Sequence, residues 1–223
     1  MILDNINKIR YRVRAAAQRS GRNPNDVSVI AVTKYAELAS VRELLESGLV
    51  GEIAESRVQD AASRREALQA AAGKVRWRLI GHLQTNKAKK AVQVFDAIDS
   101  LDSLKLAEAL ERALPEGKIL PVLVQVKITE RETQSGVSPD ALPALLKGLE
   151  ALPRLEARGL MAIAPNLEPV EKTRPFFRSV KALFDRFFSA VPGAQLSMGM
   201  SRDFEVAVEE GATHVRVGSA IFS

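Results

Sequence analysis

Apolar residues recur at Ile6, Ile9, Val13 and Ala16/Ala17, a spacing that predicts an amphipathic helix over 3–20. Beyond it the pattern changes period, and short β-rich runs alternate with helical stripes as far as the carboxyl end. The runs predict strands over 27–33, near 52–55, over 76–80, 95–98, 120–128 and 156–161, near 195–198, and over 214–217. Helices are predicted between them, over 37–47, about 57–72, 86–94, 103–113, 140–151, 168–188 and 203–210. Eight strands separated by seven helices, with an extra helix in front, fit an α/β (β/α)8 barrel better than an open sheet, which usually has fewer strands. No linker-like shift in composition, low-complexity stretch or close repeat divides the chain, so a single domain over 1–223 is expected.

Composition narrows the function classes. With 223 residues, 46% hydrophobic and 26% charged, the chain can bury a full core. The absence of cysteine excludes disulfides, thiolate metal sites and cysteine nucleophiles, and fits a reducing compartment. Two histidines argue against a histidine-rich metal site and leave a carboxylate site open. The first twenty residues carry charges throughout, and no apolar run approaches a membrane span, so a cytoplasmic protein is expected. The net charge of +5 fits nucleic acid or small anions. Because basic and acidic residues are interspersed and aromatic content is only 5%, stacking platforms are scarce and small anions are favoured.

Candidate chemistry begins at Lys34, at the carboxyl end of the first predicted strand. That position faces the end of a barrel where active sites sit. Lys34 reads either as a solvated strand-end lysine or as an amine placed to condense with an aldehyde. A second lead lies in the carboxyl third, where Ser201 follows the seventh strand and Gly218 and Ser219 follow the eighth. In phosphate-binding barrels these loops supply converging backbone N–H groups, and Ser201 adds a hydroxyl. The alternative for Ser201 is a cap on the helix opening at Arg202 or Asp203. A lysine and a phosphate cup on one face together suggest a phosphorylated aldehyde, with pyridoxal phosphate as the candidate cofactor. His82 after the third strand reads as a site-mouth residue or as one satisfied by nearby backbone, and His214 reads as structural. Lys87, Lys89 and Lys90 form a solvated helix face or an anion-binding patch.

The runs Val32-Thr33-Lys34, IGHLQTNK from Ile80, GLMAIAP from Gly159 and LSMGMSRDFE from Leu196 resemble, in order and over nearly the whole chain, the pyridoxal phosphate homeostasis proteins. That family has the fold of the amino-terminal barrel of alanine racemase. The resemblance implies pyridoxal 5′-phosphate held as an internal aldimine (a Schiff base) on Lys34, with Ser201, Gly218 and Ser219 around the phosphate. It also implies cofactor contacts from Ser56, His82, Met198 and Met200, with Arg216 facing the pyridine nitrogen. A guanidinium there keeps that nitrogen unprotonated and weakens the ring as an electron sink. Three positions depart from the family pattern. Ser56 stands where asparagine is usual, which leaves its contact with the cofactor open. Gln134 replaces a common lysine, and Ser223 follows Phe222 where glycine is frequent.

The resemblance implies a non-catalytic protein of vitamin B6 metabolism that buffers or delivers pyridoxal phosphate, with PLP-requiring apo-enzymes as candidate recipients and a monomeric state. The alternative is a PLP-dependent amino-acid racemase. Racemisation needs a second acid/base on the opposite face of the substrate carbon. Alanine racemases take theirs, a tyrosine, from a second domain, for which this chain lacks the length. Tyr11 and Tyr35 offer no evident substitute, since strand alternation points Tyr35 away from Lys34.

Overall fold

Helix α1 (Ile2–Arg19) buries the stripe its spacing predicts and leaves its arginines exposed on the outer face. The structure is a computed structural model that describes residues 1–129 and 135–223, so Gln134 lies outside the described residues. After α1 the chain alternates through β1 (Ser28–Val32), α2 (Leu38–Glu46), β2 (Glu52–Glu55), α3 (Val58–Leu68), β3 (Arg76–Leu79), α4 (Ala88–Val94), β4 (Ala97–Leu101) and α5 (Leu104–Ala113). It continues through β5 (Leu120–Val126), α6 (Leu142–Leu149), β6 (Leu155–Ala162), α7 (Arg174–Phe188), β7 (Gln195–Met200), α8 (Phe204–Glu209), β8 (His214–Val217) and α9 (Ser219–Phe222). The strands pair in parallel, in chain order, and the barrel closes where Ser28 meets His214 and Ala31 meets Val217. This is the (β/α)8 barrel with an amino-terminal helix that the periodicity predicts.

Strands covered on both faces are apolar almost throughout, as β5 shows in LPVLVQV. The barrel interior nevertheless carries charge near its amino-terminal end. Arg78 on β3 donates to both oxygens of Asp99 on β4, at 2.8–3.0 Å, to Glu52 at 2.8 Å and to Gln195 at 2.7 Å. Burial works against the Arg78 charge, but Asp99 and Glu52 outweigh it and hold the guanidinium above its ordinary pKa. His214 sits beside this cluster, with Nε2 3.6 Å from Glu52. Burial, reinforced by Arg78, pushes its pKa down to about 4.

Several boundaries differ from the periodic reading, each for a local reason. The fourth strand begins at Ala97 instead of 95, because Phe95 caps α4 and the Asp96 carboxylate accepts the Trp77 N–H at 2.9 Å. The helix predicted over 57–72 stops at Leu68, where Gln69 takes φ 51 and a 3-10 segment, Gln69–Lys74, follows. The long helix predicted over 168–188 starts as a 3-10 turn, Val170–Thr173, before Pro175 opens α7. Helix α9 is four residues long, too short to leave a periodic signal. Among the described residues, no helix is long and apolar enough to cross a membrane.

Candidate functional site

Strand β1 ends at Val32, and Thr33 then anchors the chain in a buried position. Its hydroxyl donates to Glu55 Oε1 at 2.6 Å, and its N–H bonds the Ala54 carbonyl at 3.1 Å. Burial pushes the Glu55 carboxyl up, against the pull of the Thr33 hydroxyl and Arg64. From that anchor the chain turns at once, closed by Ala36 N–H to Thr33 C=O at 2.9 Å. The turn carries Lys34 outward, exposed, to the carboxyl end of the barrel. It also breaks strand alternation, so Tyr35 does not point away from Lys34 as extended geometry predicts. Its ring centroid lies 5.0 Å from Lys34 Nζ.

Lys34 opens into a cavity of ≈ 610 Å³ at the ends of β1, β7 and β8, lined also by Met200, Ser201, Arg216, Gly218 and Ser219. A larger and more open depression of ≈ 1270 Å³ lies between the segments after β5 and β6 and helix α7, but the lysine, serine and arginine converge on the smaller one. Six of the nine residues read from sequence as cofactor contacts thus share one cavity. Ser56, His82 and Met198 are not among the described residues that line it. Ser56 is half-buried after β2, and His82 is exposed, with Nδ1 3.2 Å from Asp102. Met198 is sealed in the apolar core. Gly199, at φ +89, breaks the alternation between the two methionines, so Met200 reaches the cavity and Met198 does not.

Ser201 does not cap α8. That helix starts at Phe204 with Asp203 at its N-cap, whereas the Ser201 hydroxyl accepts from Gly218 N–H at 3.2 Å and Ala220 N–H at 3.4 Å. The serine therefore ties the β7–α8 turn to the β8–α9 turn and gathers hydroxyl and backbone donors at one point. Gly218 lets the end of β8 pass close to the end of β1, because a Cβ there would lie 2.9 Å from the Val32 carbonyl oxygen. Asp203 fixes the same turn: its Oδ1 accepts the Met200 N–H at 2.6 Å. Burial raises the Asp203 pKa and the Met200 bond opposes that shift.

Arg216 projects from β8 into the barrel, 3% exposed, and donates to Ser197 Oγ and the Ala162 carbonyl, both at 2.8 Å. Its bonds are to neutral acceptors, not the lip carboxylate a strand-end arginine often meets. Burial lowers its pKa to about 10, which leaves it cationic at neutral pH. The cavity thus combines an accessible amine, a fixed guanidinium and a serine hydroxyl seated on the Gly218 and Ala220 N–H groups. These fit a small phosphorylated aldehyde with a heteroaromatic ring. Among the described residues, no group of three or more His, Cys, Asp or Glu could hold a metal ion.

Tyr35, Asn166 and Asp203 also line the cavity, without having been predicted from the sequence. Asn166 follows the GLMAIAP run at the end of β6, a strand-end position of the kind that carries barrel chemistry. Asp203 stands two residues after Ser201, where an acidic side chain can fold back on its own turn. Tyr35 had no signal, because its placement depends on where β1 stops.

The model of the alanine racemase N-terminal domain matches residues 5–223. A pyridoxal phosphate homeostasis protein of Pseudomonas aeruginosa is 39% identical over 99% of this chain and 94% of its own. The structure of PipY from Synechococcus elongatus with PLP bound superposes with a TM-score of 0.81 at 38% identity, over 95% of this chain and 99% of that one. Alanine racemase of Clostridium difficile has the same fold, with a TM-score of 0.69 at 15% identity over 98% of this chain and 56% of its own.

Proposed function

We propose that this chain, which belongs to the alanine racemase N-terminal domain family and within it to the pyridoxal phosphate homeostasis proteins, binds pyridoxal 5′-phosphate through Lys34 and serves as its cytoplasmic buffer or carrier. The observation that carries the reading is the convergence of Lys34, Arg216 and the Ser201–Gly218 turn on one cavity. Bound there, pyridoxal phosphate supplies an aldehyde with which a lysine amine can condense. Ser201, whose oxygen accepts the Gly218 and Ala220 N–H groups and whose own proton remains to donate, would hold the phosphate together with the backbone of Gly218 and Ser219 where the two turns meet. Arg216, fixed by Ser197 and Ala162, would face the ring nitrogen as a hydrogen-bond donor that stays cationic and so does not protonate it.

The surroundings of Lys34 support a non-catalytic role. Racemisation needs two proton carriers on opposite faces of the substrate. Tyr35 is the phenol beside the amine, but it leaves the same turn of the same barrel rim, with its ring centroid 5.0 Å from Lys34 Nζ, which favours a shared side of approach over two opposed ones. Recipients of the cofactor would be PLP-requiring apo-enzymes, and the carrier acts as a monomer. Equilibrium dialysis against pyridoxal 5′-phosphate tests the binding and chiral chromatography tests the chemistry. The expected result is saturable binding of one cofactor per chain without enzyme-proportional formation of D-amino acids. Absence of saturable binding, or rapid racemisation lost in Lys34→Ala, would overturn the proposal.

A further inference from the structure

The opposite end of the barrel carries a separate concentration of positive charge. Where the chain enters β2, β3, β4 and β5, a depression of ≈ 630 Å³ is lined by Arg65, Lys74, Arg76 and Lys118, with Asp96 as its one carboxylate. Asp96 is already engaged: it accepts the Trp77 N–H at 2.9 Å and lies 3.8 Å from Arg65. Two of the cations are held in place by the end of α4. Lys118 Nζ donates to the Val92 carbonyl at 2.5 Å, and Arg65 donates to the Val94 carbonyl, as cations do at helix carboxyl termini. An ammonium and a guanidinium each keep further donors beyond those bonds. Lys74 and Arg76 are exposed, and neither has an ion-pair partner among the described residues. Gly51 and Gly73 leave the floor open, since a Cβ at either would meet nothing within 4 Å.

We infer that this depression is a second anion site that takes a small polyphosphate-class ligand, independent of the Lys34 cavity. Two guanidinium forks and two ammonium groups around one concave surface match several phosphate oxygens at once, and the single carboxylate leaves the excess charge uncancelled. Two cations fixed on α4 carbonyls lower the ordering cost of binding, and the two unpaired ones supply the remaining attraction. The site's size fits a compact ligand, and among the described residues its lining has none of the aromatic platforms that single-stranded nucleic acid uses.

The test is a titration of the isotopically labelled full chain with inorganic pyrophosphate, followed through its backbone amide signals. Signals of Gly51, Gly73 and Ile119 report this site, and those of Gly218, Ser219 and Ala220 report the opposite cavity. Saturable shifts are expected at the first set, weakened on the order of tenfold or more in Lys74→Glu/Arg76→Glu, where two attractions become repulsions. Lys74→Glu alone, in the 3-10 segment, gives the same direction if the double variant is poorly folded. Unchanged affinity in the variants, shifts confined to the opposite cavity, or an equal response to sodium chloride at matched ionic strength would each overturn the inference. Saturation by a single-stranded oligonucleotide without any by pyrophosphate would also overturn it, assigning the patch to nucleic acid.

Discussion

Ser201 and Gly218 do different work at one point of the site, and their substitutions separate the two. Ser201→Ala removes a hydroxyl from the donors expected around the phosphate but leaves the backbone N–H groups in place. Retention of pyridoxal phosphate should weaken by about 1.5–3 kcal/mol without being abolished. A fluorescence or dialysis titration reads this, and unchanged affinity would confine Ser201 to tying the two turns together. Gly218→Ala acts on the scaffold. Its Cβ would stand 2.9 Å from the Val32 carbonyl oxygen and 3.2 Å from Val32 Cβ, against backbone that cannot swing aside. A loss of about 1–3 kcal/mol is expected from such overpacking. That lowers the melting temperature by roughly 2–4 °C for each kcal/mol in a chain of this size. Melting temperatures of the two variants should therefore differ in order, with Ser201→Ala the closer to the parent.

At the scale of elements, α7 and α8 are joined by charge as well as by packing. Arg174 at the start of α7 bonds Glu171, Glu209 and Glu210, each at 2.7–2.8 Å, and stands 22% exposed. Arg19 on α1 reaches Glu209 and Glu205 of the same helix. Arg174→Met should cost on the order of 1 kcal/mol in chemical denaturation, and the loss should shrink in concentrated salt because the network is only partly shielded from water. A loss that does not respond to salt would assign Arg174 a packing role instead. The elements themselves were legible wherever burial followed a period: α1 and β5 read directly from their apolar positions. Strand β4 was read only in its first half, because Asp99 and Ser100 are buried polar residues whose partners, Arg78 and the Gly81 carbonyl, come from β3 and the loop after it. Lys34 and Ser201 were legible as residues of the candidate cavity because strand ends and family-like runs mark them, and Arg216 entered through the resemblance alone. Tyr35 and Asp203 were not, since each depends on a turn whose closure periodicity does not encode.

The whole molecule carries its charge in two layers along the barrel axis, and the lower one predicts its response to acid. His214, neutral in the fold with a pKa near 4 against an ordinary 6.5, binds a proton more readily once unfolded. Its 3.6 Å approach to Glu52 is too long for a hydrogen bond and does not offset burial. Its contribution to stability is therefore full above pH about 6.5 and is lost as pH falls towards 4, by about 2–4 kcal/mol in all. Glu55 and Asp203, whose pKa values are raised by burial, act in the opposite sense, so the comparison must be internal. Denaturation midpoints at neutral and acid pH should fall less steeply in His214→Gln than in the parent chain. Parallel profiles would remove His214 as a cause. The upper layer holds the central claim, that Lys34 is the residue through which the chain keeps its cofactor. Borohydride reduction after incubation with pyridoxal phosphate, followed by peptide mapping, tests it most directly. One pyridoxyl group is expected on the peptide containing Lys34, absent from a Lys34→Ala variant whose far-UV circular dichroism is unchanged; a reduced adduct on another lysine, or none, would rule Lys34 out.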